Sequence, residues 1–153
     1  MKALTTHDLD RVLKQNAVTK RYYLGAYPSC IRPKRMKKAY AFISNGQTHE
    51  QGGDHWFAWF VEEDKISFFD SFGRDLKDPT LPSEFDDILK NFRIISYSSI
   101  QLQGWDSKSC GQFCIHFIYS KSLGLDFNTF LSEYTHNFNK NEKIVSSFFS
   151  SII

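Results

Sequence analysis

Seven consecutive residues, "HWFAWFV" (55–61), leave neither face of an extended chain polar. A strand of that kind is stable only in the middle of a sheet covered on both sides, so the fold needs a layer above it and a layer below. "EEDK" then turns the chain, and "ISFFD" (66–70) returns as the hairpin partner. The remaining elements fall around this hairpin. Thr5 and Asp8 form a capping-box pattern that opens a helix through about Gln15, and "YYLGAY" (22–27) is a short extended piece. "AYAFIS" (39–44) reads as a strand with Asn45-Gly46 as a turn beyond it, and "RIISYS" (93–98) as another strand. Helices are expected over "EFDDILKNF" (84–92), from Cys110 to about Leu123 with Gly124 as the stop, over "DFNTFLSEYTHNF" (126–138) and over "NEKIVSSFF" (141–149). Strands in the middle of the chain and helices at its ends make the fold class α+β.

With 153 residues the chain suffices for one domain with a substantial core, to which 15 Phe, 7 Tyr and 3 Trp contribute. No apolar run is long enough to span a bilayer, and the opening residues read as an amphipathic helix rather than a signal-peptide core. Three cysteines, Cys30, Cys110 and Cys114, form no disulfide framework and suggest a reducing compartment. A net charge of +2 points to no partner, but Arg32, Lys34, Arg35, Lys37 and Lys38 cluster within 31–38 and form either a solvated loop or a phosphate-binding patch.

The chemistry centres on "LQGWDSKSCGQFCIHFIY" (102–119), where Cys110 stands at the mouth of a nearly all-apolar helix. A cysteine there meets the positive end of the helix dipole and unpaired amides, the setting in which a thiol becomes a nucleophile. Gly111 leaves the backbone beside it open to a substrate carbonyl. Cys114, one turn deeper, reads as a packed core thiol. Of the five histidines, His7, His49 and His136 read as surface residues, and His116 lies six positions along the same helix, on another face. His55 remains, at the start of the buried strand, preceded by Gly52 and Gly53 and followed by Trp56. Asp70 ends the paired strand at the same sheet edge, whereas Asp54 faces away and Glu63 and Asp64 sit at the far end of the hairpin. Cys110, Cys114 and His116 lack a second ligand pair at zinc spacing, so a metal site is not expected.

Four segments in order, "YYLGAY", "GGDHWFAWF", "FFDSFG" and "QGWDSKSCGQFC", resemble the adenain family, the cysteine endopeptidases of adenoviruses. The resemblance implies a papain-like α+β fold with permuted catalytic order, the cysteine helix packed against a central mixed sheet. It implies Cys110 as nucleophile, His55 as base, Asp70 as orienting acid and Gln103 as a side-chain donor to the oxyanion. Gly53, Trp56 and Gly111 are then expected to contact substrate. Substrates would be viral precursor proteins cut beside glycine, in the virion and the host nucleus or cytoplasm, by a monomer needing no cofactor for its chemistry.

Three departures matter. Adenovirus enzymes carry Glu where this chain has Asp70, the choice of the related SUMO proteases. They are also activated by DNA and by a viral peptide joined through a disulfide, yet "KNFRIISYS" (90–98) holds no cysteine. Activation by DNA through the 31–38 cluster, or by a peptide without the covalent link, is the remaining expectation. The chain also runs less far beyond the cysteine helix, so a reduced C-terminal scaffold is expected. Alternatives are a SUMO-type deconjugating protease, an acetyl-CoA-dependent acyltransferase of the Yop type, and a non-catalytic DNA-binding or structural protein. The six residues between Gln103 and Cys110 resemble adenain, since SUMO proteases typically have five.

Overall fold

The computed structural model describes residues 1–34, 38–48 and 53–153. Its sheet has five strands in the spatial order of the chain: β1 (Tyr23–Tyr27), β2 (Ala39–Thr48), β3 (Gly53–Glu62), β4 (Lys65–Phe69) and β5 (Ile94–Tyr97). β2, β3 and β4 pair antiparallel, while β1 and β5 join the two edges in parallel, so the sheet is mixed.

β3 lies at the centre, as its two-sided apolar sequence requires. Trp56, Ala58 and Phe60 alternate with Phe57, Trp59 and Val61, and none of the six is more than 6% exposed. The first set packs under α1 (Thr6–Gln15), α3 (Cys110–Ser122), α4 (Phe127–Leu131) and α5 (Phe138–Ile152). The second set is covered by α2 (Phe85–Leu89) and the segment leading to it. Each large side chain so buried contributes roughly 1.5–3 kcal/mol of transfer free energy, which is why the aromatic content concentrates here. Aromatic stacking ties the layers together. Phe69 stacks on Phe117 of α3 at 5.0 Å, while within the sheet Phe42 stacks on its cross-strand neighbour Trp59 at 5.7 Å.

Local signals set most element ends. Thr5 and Asp8 exchange the two bonds of a capping box at α1, 2.9 and 3.1 Å long. α3 is buried around most of its circumference and stops where Gly124 takes a left-handed φ of 86°. Three expectations need correction. Asn45 and Gly46 do not turn the chain: they continue β2, with Gly46 paired to His55. Glycine is there for space, since a Cβ would stand 2.7 Å from the Phe57 ring. The helix expected over 126–138 ends at Leu131, so His136 lies in the connection to α5 rather than in a helix. α5 starts earlier and runs further than its apolar pattern suggested. Among the described residues no helix is long and apolar enough to cross a membrane.

Candidate active site

α3 begins at Cys110, which is 6% exposed, and it packs directly against β3. Cys114, one turn deeper, is fully buried and its thiol donates to the Trp56 carbonyl at 3.3 Å. Burial pushes the Cys114 thiol well above its ordinary range, which makes it an inert packing group.

His55 and Asp70 come from adjacent strand ends and meet in a site closed to solvent. His55 Nε2 lies 2.8 Å from Asp70 Oδ1. The same oxygen accepts the Phe72 backbone N–H at 3.0 Å, and Asp70 Oδ2 accepts Arg74 Nε–H at 2.7 Å. Burial alone would raise the carboxyl's pKa, but hydrogen bonds and charge from His55 and Arg74 hold it below the ordinary 3.8. An ionised Asp70 can only accept, so the imidazole carries its proton on Nε2 and keeps a lone pair on Nδ1 in the neutral ring. Nδ1 is buried and without a hydrogen-bond partner. Besides Asp70, the Cys110 side chain acts on the charge of this ring. Burial pushes the ring's pKa down, but the bond to Asp70 and then the Cys110 sulfur push it further up, to about 9. Phe72 stacks on the imidazole at 4.3 Å and Phe57 meets it edge-on at 4.8 Å, which fixes the plane of the ring.

Gln103 is fully buried in the segment leading to Cys110. Ser71, next to Asp70, accepts the backbone N–H groups of Leu102 and Gln103 on its carbonyl at 2.9 and 3.1 Å. Its hydroxyl donates to Gln103 Oε1 at 2.5 Å. That contact turns Gln103 Nε2 the other way, toward Ser107, whose carbonyl and hydroxyl accept at 3.0 and 3.2 Å. The turn carrying Asp70 is thus stitched to the loop carrying Gln103. Gly73 allows this approach with a φ of 67°, and a Cβ there would lie 2.5 Å from the Ile100 carbonyl carbon.

Cys110 opens on a cleft of about 930 Å³, whose lining includes Leu4, Tyr27, Trp56 and Trp105. Trp56 lines it while its indole N–H donates to the Leu4 carbonyl at 3.0 Å. Gly53 opens β3 two residues before His55. The open face expected at Gly111 is filled: a Cβ there would stand 3.1 Å from the Leu4 side chain. The glycine admits the N-terminal segment, and beside the expected Trp56 the cleft wall includes Leu4, Tyr27 and Trp105, which the sequence reading did not select. Arg74, Ser71 and Leu4 were all missed. The spacing Asp70-x-x-x-Arg74 was a readable hint, but burial of both partners was not. Of the basic cluster, Arg32, Lys34 and Lys38 are exposed, and Arg32 donates to the Asp87 carbonyl at 2.8 Å. Arg35 and Lys37 lie outside the described residues.

A mixed five-stranded sheet with a cysteine-headed helix against its central strand defines a papain-like cysteine-protease fold. The crystal structure of the ASFV pS273R protease superposes with a TM-score of 0.62 at 16% identity, covering 94% of this chain and 64% of that one. Its selenomethionine form gives 0.66 at 15% identity, covering 99% and 68%. No family model matches the sequence. The protease of Bovine adenovirus 2 is 28% identical over 116 residues, 65% of this chain and 54% of that protein. The chain therefore spans about half the length of the curated relative it matches. Sequence and fold agree: the chain is similar in sequence to an adenovirus protease and in fold to the ASFV pS273R protease.

Proposed function

We propose that this chain is a thiol endopeptidase in which Cys110, His55 and Asp70 act as one unit. The observation that carries the reading is the His55 ring, clasped through Nε2 by a buried carboxylate, with Nδ1 unpartnered and the Cys110 side chain acting on the ring's charge. Nδ1 takes the thiol proton first, and the Sγ thiolate of the resulting ion pair attacks the scissile carbonyl. The tetrahedral oxyanion is met by the backbone N–H of Cys110 and by a side-chain N–H of Gln103. His55 then protonates the leaving amine as the C–N bond breaks, leaving an acyl-thioester. Water, deprotonated by the same nitrogen, hydrolyses the thioester and restores the thiol. Asp70 holds the tautomer and stabilises the imidazolium throughout.

Bonds beside glycine are the proposed substrates. Trp56 and Trp105 line the cleft at Cys110, an arrangement suited to a backbone free of bulky side chains. Viral precursor proteins in the virion or the infected cell are the proposed source of such bonds, by likeness to the adenovirus relative. DNA acting at Arg32, Lys34 and Lys38, or an extended peptide on the exposed β5 edge with Ile94, Ile95 and Tyr97, is the proposed activator. The test is an incubation of wild type and Cys110→Ala with glycine-containing peptides, ubiquitin-like conjugates and acetyl-CoA, each with and without DNA. Cleavage of the peptides by wild type alone supports the reading. Selective release of ubiquitin-like modifiers, or acyl transfer without hydrolysis, would replace it.

A further inference from the structure

The loop from Leu102 to Ser109 carries Gln103 at one end and Cys110 just past the other, and α5 grips it at both ends. Asn141, fully buried, donates through Nδ2 to the Leu102 carbonyl at 3.0 Å and to the Thr135 carbonyl at 2.8 Å. The next residue, Glu142, accepts the Ser107 hydroxyl on Oε1 and the Ser109 hydroxyl on Oε2, the latter at 2.6 Å. Ser109 is the N-cap of α3, yet its side chain makes no capping bond because the hydroxyl is committed to Glu142.

A hydroxyl has one proton to give. Once Ser107 has given it to Glu142, its oxygen can only accept, and it accepts Gln103 Nε2–H and the Ser109 backbone N–H. On the other side Ser71 donates to Gln103 Oε1. The amide of Gln103 is thus read from both ends, nitrogen toward Ser107 and oxygen toward Ser71. An amide turned over would present oxygen where the oxyanion needs a donor, and repulsion would replace stabilisation.

We infer that Glu142, acting through Ser107, is a positioning residue that holds the Ser107 hydroxyl as an acceptor for the Gln103 amide, beside the Ser107 carbonyl that also takes Nε2–H, and pins the loop ahead of Cys110. The inference rests on the peptidase reading for its effect on rate, while the grip itself does not depend on it. α5 thereby acts on the site although none of its residues lines the cleft at Cys110.

The experiment compares wild type, Glu142→Gln, Glu142→Ala, Glu142→Asp and Ser107→Ala, with the exposed Lys143→Ala as control. Hydrogen exchange read by mass spectrometry over 102–110 should accelerate at least about fivefold in Glu142→Ala, Glu142→Gln and Ser107→Ala, with Lys143→Ala unchanged. kcat should fall roughly ten- to hundred-fold in these three, with KM within about twofold and partial recovery in Glu142→Asp. Unchanged exchange would overturn the grip. Faster exchange with unchanged kcat would overturn the positioning role, as would a fall matched by loss of thermal stability. A wild type that cleaves no peptide would remove the peptidase reading and the rate effect with it, leaving exchange to decide the grip alone.

Discussion

Arg74 gives Asp70 a second cation: its Nε–H donates to Oδ2 at 2.7 Å while His55 holds Oδ1 at 2.8 Å. Both Arg74 and Asp70 are buried, and the guanidinium also lies over the Phe57 ring at 5.3 Å. Arg74→Met strips one oxygen of its partner and leaves a buried carboxylate half satisfied. Stability should drop by about 3–5 kcal/mol, read by urea denaturation. A loss below about 1 kcal/mol would mean that the pair is not closed to solvent.

In the proposed mechanism Gln103 donates to the oxyanion of the transition state rather than to bound substrate. Gln103→Ala should lower kcat by about a hundred- to a thousand-fold with little change in KM. Steady-state kinetics on a glycine-containing peptide checks this. An equal effect on both parameters would assign Gln103 to binding or to structure.

Stability should peak near pH 6.5, because two histidines pull in opposite directions. Burial lowers the His116 pKa to about 4. Its Nδ1 faces the Tyr134 hydroxyl at 2.5 Å, and half-exposed Glu133 takes its Nε2–H at 2.8 Å, a contact screened too well to offset burial. The unfolded chain then binds more protons than the fold from about pH 6.5 downward, so stability falls toward pH 4, by about 2–3 kcal/mol. Asp70, held low, adds its own loss in stronger acid. His55 has the opposite sign. Its raised pKa gives stability that is complete below about 6.5 and is lost as pH rises through about 9. Denaturation midpoints from pH 4 to 10 should show both limbs, with His116→Phe flattening the acid one. An acid limb unchanged in His116→Phe would contradict the assignment.

Gly73→Ala tests the stitch between the Asp70 turn and the Gln103 loop. With a φ of 67° and the Ile100 carbonyl carbon 2.5 Å from the new Cβ, the turn must shift. A loss of at least about 2 kcal/mol is expected, with a fall in kcat beyond what stability explains. Wild-type turnover in a stable Gly73→Ala chain would show the stitch to be dispensable.

What could be read from the sequence was local. The β3–β4 hairpin follows from a two-sided apolar strand and its return, α1 from a capping box, and α3 from an apolar run that starts at a cysteine and stops at Gly124. His55 and Asp70 followed because pairing those strands leaves both at one sheet edge. What escaped was set by partners far along the chain. Gly46 resembled a turn residue until Phe57 was seen to need its space, and Gly111 resembled an open approach until Leu4 was found against it. Asn141 and Glu142 were not singled out, because nothing nearby in sequence signals the groups they bind in the 102–109 loop, and Arg74 was passed over because its spacing from Asp70 does not show that both are buried.

The central claim is that His55 and Asp70 make the sulfur of Cys110 a nucleophile, and reactivity tests it without knowledge of the substrate. Alkylation of each cysteine by iodoacetamide at pH 6, followed by mass spectrometry, compares Cys110 with the exposed Cys30. Cys110 should react at least about tenfold faster in wild type despite its lower exposure, and His55→Ala should abolish the advantage. Equal or slower reaction of Cys110 in the wild-type chain would contradict the account.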